Sequence, residues 1–320
     1  MDRAEILLRR DELSETYGAW HDTIALGDGV YTVSDHPRRK RERIRVRSIL
    51  QAAADGLSMP LGDARVLDLG AAEGVFAVEF ALHGAEVLAF EGRTSNVEKI
   101  RFVRDALNLE RLHVAHQDVR ELSREEHGEF DIVLCLGVLY HLESASAVSL
   151  AHKIAEVCRR VAIIDTHISL KPKQSTIADG QTYSGRIVRE FDPGSTQQQD
   201  RLSRVSIGNP ESMWFTRPSL YNLLGDAGFT SVLEVRVPRY EKHSDRVTLV
   251  AFRGVEQELE SGITEDEPRR LRWPERQRSS PHANQTILGE LKRRLAPRTP
   301  RPVKSWVIRR QERHQERHRP

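Results

Sequence analysis

The run Val66-Leu67-Asp68-Leu69-Gly70-Ala71-Ala72-Glu73-Gly74 constrains this chain more than any other stretch of it. Its apolar start predicts a strand buried on both faces, and the Asp-x-Gly-x-x-x-Gly that ends it runs into an apolar helical pattern. Glycines at a strand-to-helix turn leave the backbone open to a ligand, because no side chain stands in the way. The neighbouring acids narrow the choice of ligand. A dinucleotide lays a doubly anionic pyrophosphate over this turn and requires Gly-x-Gly-x-x-Gly, whereas here Gly70 is followed by Ala72 and then Glu73, with Asp68 on the other flank. Two carboxylates at the turn disfavour an anion and favour a ligand that carries positive charge.

From Arg65 onward strand and helix patterns alternate, which predicts a doubly wound α/β domain built on a parallel sheet. Strands are expected at Arg65–Asp68, Glu86–Phe90, Leu112–His116, Phe130–Leu136 and Arg160–Ile164, with helices near 74–83, 95–107, 120–126 and 144–158. After Asp165 the alternation stops. Residues 168–215 are polar and turn-rich at first and read as an insertion, the natural lid over a substrate. A helix capped by Thr216-Arg217-Pro218-Ser219 then leads to two strand-like runs, Val232–Val237 and Arg246–Phe252, which pair as a hairpin and complete a mostly parallel seven-stranded sheet. Before this domain (61–253), residues 1–60 read as a helical leader that breaks around Gly27-Asp28-Gly29. After it, residues 254–320 read as a flexible tail with at most one short helix near 284–295.

Charge is distributed unevenly. The net charge is +2, but residues 268–320 alone carry +12, so the rest is acidic at −10. An arginine-rich arm of this kind suits RNA, another polyanion or an acidic partner. Cys135 and Cys158 lie inside apolar runs and read as core thiols, which fits a reducing cytoplasm. The charged N-terminus has no signal-peptide apolar region, and no run of eighteen apolar residues predicts a membrane span. The thirteen histidines show no zinc-ligand spacing, so no metal is expected.

Residues 65–165 resemble a class I S-adenosylmethionine-dependent methyltransferase at four positions in order. Asp68-x-Gly70-x-x-x-Gly74 is similar to the motif that cradles the methionine part of the cofactor, with Ala72 inside the turn. Glu91 ends the second strand, where the family uses an acid to accept the ribose hydroxyls. Gln117-Asp118-Val119 follows the third strand, where the family's acid meets the adenine amino group. Asp118 also suits a helix cap, and the two roles are compatible. Phe130-Asp131-Ile132-Val133 opens the fourth strand as the family's run does, and that strand's end, Leu136, completes the implied pocket. A zwitterionic amino acid with a sulfonium is the kind of ligand that two carboxylates at the turn favour. A closer resemblance lies in Gly137-Val138-Leu139-Tyr140-His141, which is similar to tRNA wobble-uridine methyl- and carboxymethyltransferases, as is the segment from Trp20 to Gly29. Tyr140 matches a tyrosine that holds the carboxylated cofactor in the carboxymethyl enzymes; Leu142-Glu143 replaces the basic residues expected after it.

Plain S-adenosyl-L-methionine is therefore the expected cofactor, with a small-molecule acceptor methylated on oxygen or nitrogen. A tRNA acceptor and a binding protein without turnover are the alternatives. A hydroxyl acceptor calls for a general base, and His141 and His167, just past the fourth and fifth strands, stand at the right rim, with Asp165 as a partner for one of them. Packing or capping roles for both histidines remain open. In the insertion, Tyr183, Arg186, Arg189 and Trp214 suit recognition of a planar or anionic acceptor. Arg38-Arg39-Lys40-Arg41, with Arg43, Arg45 and Arg47, suits either phosphate contact or a solvated helix face.

Overall fold

The computed structural model describes residues 1–33, 36–191, 206–236 and 245–254, with the side chains of the second helix described from Arg43 onward. The tail beyond Gly254, the short helix expected near 284–295 and the basic cluster 38–41 lie outside the described side chains.

The chain opens with helix α1 (Arg3–Tyr17), capped by the Asp2 side chain, which accepts the Glu5 amide at 2.9 Å. Strands β1 (Ala25–Gly27) and β2 (Val30–Tyr31) follow, then helix α2 (His36–Asp55). The predicted break in the leader is thus an antiparallel hairpin. Asp28 and Gly29, at φ +46° and +73°, form its turn, the backbone that an Asp-Gly pair between apolar residues favours. Trp20, Ile24, Leu26 and Val30 are buried in the same apolar cluster as Ile100 and Phe102, so this segment covers one face of the central sheet's helical layer.

The central unit then alternates: β3 (Arg65–Leu69), α3 (Val75–Leu82), β4 (Glu86–Glu91), α4 (Thr94–Ala106), β5 (Leu112–His116), a 3₁₀ turn and α5 (Arg124–His127), β6 (Phe130–Leu136), α6 (Ser144–Val157) and β7 (Cys158–His167). The helix expected over 120–126 is split, because Ser123 takes a β conformation and caps α5. After an excursion described below come α7 (Arg217–Asp226), capped by Thr216, and strands β11 (Ser231–Glu234) and β12 (Arg246–Phe252). The sheet order is β11-β12-β7-β6-β3-β4-β5, with β12 antiparallel to both its neighbours and β3 to β7 parallel. The order reverses between β3 and β6, and open α/β sheets bind ligands outside the strand ends at such a switch. The first six residues of β6 are buried, as its unbroken apolar run requires.

The insertion is more ordered than its composition suggests. It holds β8 (Gln174–Ala178), β9 (Gln181–Arg189) and β10 (Glu211–Phe215), an antiparallel sheet in the order β10-β9-β8. Gly185 is where β9 meets β10 tightly: a Cβ there would stand 2.3 Å from the Trp214 carbonyl oxygen. The Met213 amide bonds the Leu142 carbonyl and the Ser169 amide bonds that of Phe215, so the small sheet is tied to the rim of the large one. Among the described residues, no helix is long and apolar enough to cross a membrane.

Candidate active site

The turn after β3 is shaped by contacts that exclude side chains. Gly70 has φ +63°, and a Cβ on it would stand 2.5 Å from Cγ2 of Val138, in the loop after β6. Gly74, at φ +88°, begins α3, and a Cβ there would meet Ile100 at 3.0 Å. Between them Ala72 takes φ +51°, a left-handed conformation that costs a non-glycine residue about 1–2 kcal/mol. Its amide donates to Glu91 Oε2 at 2.8 Å, which offsets that strain and joins the ends of β3 and β4.

Three acids of the sequence reading end up in different circumstances. Asp68 is 2% exposed; burial pushes its carboxyl up to about 7, against the opposing pull of the Ala77 amide, which donates to Oδ2 at 3.1 Å. Glu91 is also buried and raised by burial, though the Arg93 and Ala72 amides work the other way. Asp118 caps the 3₁₀ turn, accepting the Arg120 amide at 2.9 Å. Burial disfavours its charge, but the Arg120 guanidinium, at 2.9 and 2.6 Å, outweighs that and holds its carboxyl below the usual range. Val119 is the first residue of that turn and Leu136 the last of β6, and both are half-buried.

Glu73, which the sequence places beside the ligand, is otherwise engaged. Its Oε1 pairs with Lys99 Nζ at 2.7 Å, and Oε2 accepts the amides of His21 and Asp22, each at 2.7 Å. Lys99 also donates to the Ala19 carbonyl and lies 5.0 Å from the centre of the Trp20 ring. Glu73 therefore anchors the N-terminal segment to the turn, leaving Asp68 and Glu91 as the acids of the crevice. No periodicity signals this clamp, because its partners are 51 and 52 residues away for the amides and 26 for the lysine.

Beyond β6 the chain turns at Gly137 (φ +105°), where a Cβ would stand 3.7 Å from the Tyr140 hydroxyl and 3.4 Å from Arg246. Tyr140 lies between two histidines, with ring centres 4.2 Å from His141 and 4.7 Å, edge-on, from His167. Both histidines face carboxylates. His141 Nδ1 is 2.9 Å from Glu190 Oε2, and His167 Nδ1 is 3.3 Å from Asp245 Oδ1. These are the acids that accompany the histidines; Asp165, expected in that role, instead takes Arg246 at 2.5 Å and Thr248 at 2.6 Å. His167 also stacks on Trp214 at 4.5 Å, and Arg186 lies over Trp214 at 4.2 Å, within 3.8 Å of Asp245.

The other expectations for the insertion divide. Arg186 and Trp214 reach the rim, Arg189 is exposed on β9, and Tyr183 is not on the surface at all. It is 1% exposed and donates to Asp226 of α7 at 2.8 Å, so it packs the insertion onto the domain. Arg45 turns inward, over Phe76 and within 3.7 Å of Asp165, while Arg43 and Arg47 are exposed. Glu190 had no signal of its own in the sequence. It follows the last residue of β9, and only the pairing of β9 with β10 brings it to His141.

The seven-stranded order with one antiparallel strand, the glycine turn and the acid at the end of β4 define a Rossmann-like methyltransferase fold. Residues 66–160 match the family model described as a methyltransferase domain. The chain is 29% identical over 141 residues to a glycine/sarcosine N-methyltransferase of Parasynechococcus marenigrum, 44% of each chain. It is 30% identical over 91 residues to a ubiquinone biosynthesis O-methyltransferase of Psychrobacter cryohalolentis, 28% of this chain and 35% of that one. The match thus spans less than half the length of these curated relatives. Among solved structures, the N-terminal domain of EvdMO1, crystallised in the presence of SAH and D-fucose, superimposes with a TM-score of 0.61 at 26% identity, covering 79% of this chain and 98% of that domain.

Proposed function

We propose that this protein transfers a methyl group from S-adenosyl-L-methionine to oxygen or nitrogen of a small molecule in the cytoplasm. The observation that carries the reading is the linkage of Glu91 to the amide of Ala72: an acid at the end of β4 touches the open backbone turn at the end of β3. The residues fit the cofactor. Gly70 and Ala72, the two partly exposed residues of the turn, would meet its amino-acid portion, and the carboxylates of Asp68 and Glu91 suit a ligand with a cationic centre and two ribose hydroxyls. The Glu91 carboxylate accepts the amides of Ala72 and Arg93 and a side-chain bond from Asn96, which uses three of its roughly four acceptor positions and leaves room for a hydroxyl. Asp118 and Val119 flank the adenine end, and Leu136 forms the wall at the end of β6. When bound, the cofactor supplies an activated sulfonium methyl; the protein's work is to hold an acceptor about 3 Å from that carbon, in line with sulfur. His141 and His167 stand at the rim where that acceptor enters.

The D-fucose present with the EvdMO1 domain and the small-molecule names of the curated relatives favour this reading over a tRNA substrate. The test is a calorimetric titration with S-adenosylhomocysteine, followed by turnover of labelled S-adenosylmethionine with two panels. One contains monosaccharides, D-fucose among them, and phenols; the other contains primary and secondary amines. Binding followed by methylation of either panel supports the proposal. Binding without any turnover points to a binding protein. Activity on tRNA alone, falling steeply with salt, points to the RNA reading.

A further inference from the structure

Two histidine–carboxylate pairs flank Tyr140, and they are not equivalent. In the first, His141 Nδ1 meets Glu190 Oε2 at 2.9 Å. The Glu190 carboxylate is 7% exposed and fixed from other directions: Oε2 also accepts the Ser206 amide at 3.2 Å, and the Ser212 hydroxyl bonds the same group. Burial alone would raise it, but the His141 and Ser212 bonds outweigh that and hold it below the usual carboxylate range, so it is charged at neutral pH. The backbone of His141 is held as well, by Asn209 Nδ2 on its carbonyl at 2.9 Å. Its Nε2 has no hydrogen-bond partner among the described residues.

In the second pair, His167 is closed in by aromatic rings. Trp214 stacks on it at 4.5 Å and 20°, Tyr140 abuts it edge-on, and its partner Asp245 is shared with Arg186. This arrangement suits a wall better than a proton carrier.

Position separates them further. His141 ends the short 3₁₀ turn Leu139–His141, and Val138, just before that turn, is the residue packed into the space a Gly70 side chain would fill. The loop bearing His141 therefore lies against the glycine turn itself.

Resting on the methyltransferase reading above, we propose that His141 is the general base of this protein, that Glu190 of the insertion is its positioning residue, and that the acceptor is a hydroxyl. A neutral amine attacks a sulfonium methyl with its own lone pair and needs no base in that step. A hydroxyl must lose its proton as it attacks, and an imidazole oriented by a carboxylate is the side-chain device that takes it. In the step, the acceptor oxygen bonds the methyl carbon and the carbon–sulfur bond breaks with its electron pair going to sulfur. The hydroxyl proton passes to His141 Nε2, and Glu190 stabilises the imidazolium formed at Nδ1.

The test combines three readouts on the intact protein. Calorimetry with S-adenosylhomocysteine should give affinities within about threefold of wild type for His141→Ala and Glu190→Gln. Loss of binding already in the wild type would defeat the cofactor reading rather than this one. Turnover should occur with the monosaccharide and phenol panel, falling about 100-fold or more in His141→Ala and less than tenfold in His167→Ala. Finally, Glu190→Gln should lower kcat with KM nearly unchanged and should displace the ascending limb of the rate–pH profile. A merely structural Glu190 would leave that limb unmoved. Methylation confined to amines, no methylation of any hydroxyl probe, or near-wild-type turnover in His141→Ala would each overturn the assignment.

Discussion

Glu73 and Lys99 form an ion pair 2.7 Å long, with only 2% and 3% of their side chains exposed, and together they bind the backbone of residues 19–22. The pair joins a residue inside the glycine turn to the segment after α1. Removing one partner of such a pair leaves a buried charge uncompensated, at a cost of about 3–5 kcal/mol. Glu73→Gln and Lys99→Met should each destabilise the protein by that order in urea unfolding. The double variant should lose clearly less than the two single losses added together. Additive losses would mean that the pair does not act as a unit.

The contact between Gly70 and Val138 gives a second prediction. Gly70→Ala places a methyl 2.5 Å from Val138 Cγ2 on a backbone at φ +63°, so overpacking and conformational strain add. A loss of about 2–4 kcal/mol is expected in denaturant unfolding. Adding Val138→Ala should recover the steric part and leave about 1–2 kcal/mol of backbone strain. No recovery would show that the loop after β6 does not lie on this turn.

The pH dependence follows from Asp68. Its folded value of about 7 stands above the ordinary 3.8, so the fold favours the neutral acid. The contribution is destabilising for the charged form: the unliganded protein should lose stability as pH rises from about 4 to about 7, by up to about 4 kcal/mol from this group alone. A cofactor that needs the charged carboxylate should show the opposite trend. Its affinity should rise about tenfold between pH 6 and pH 8, measured by calorimetry in buffers of matched ionic strength. An affinity independent of pH across that range would remove Asp68 from the pocket.

Much of this was legible in the sequence wherever a local pattern and a buried ligand turn coincide. The strands at 65–69, 86–91, 112–116 and 130–136 follow from apolar runs, and the acids at their ends follow from the turns. The ordered insertion was not legible, because β8 buries no residue and β9 only Tyr183 and Gly185, so the two strands carry little apolar signal. Three side chains were misplaced for one physical reason, that long-range partners outrank local character. Glu73 left the crevice for Lys99, Tyr183 went inward to Asp226, and Asp165 was claimed by Arg246 and Thr248 on the antiparallel strand. Glu190 was invisible for the same reason, since its partner lies 49 residues away.

The central claim is that an adenosyl cofactor sits across the ends of β3 and β4, with its ribose on Glu91. Calorimetric titration of S-adenosylhomocysteine into the wild type and Glu91→Gln tests it most directly, because the amide side chain preserves shape while removing the charge and one acceptor. The account predicts saturable binding to the wild type and affinity weaker by about 1–3 kcal/mol, roughly fivefold to 150-fold, in the variant. Equal affinity in the two proteins, or no binding to the wild type, would contradict it.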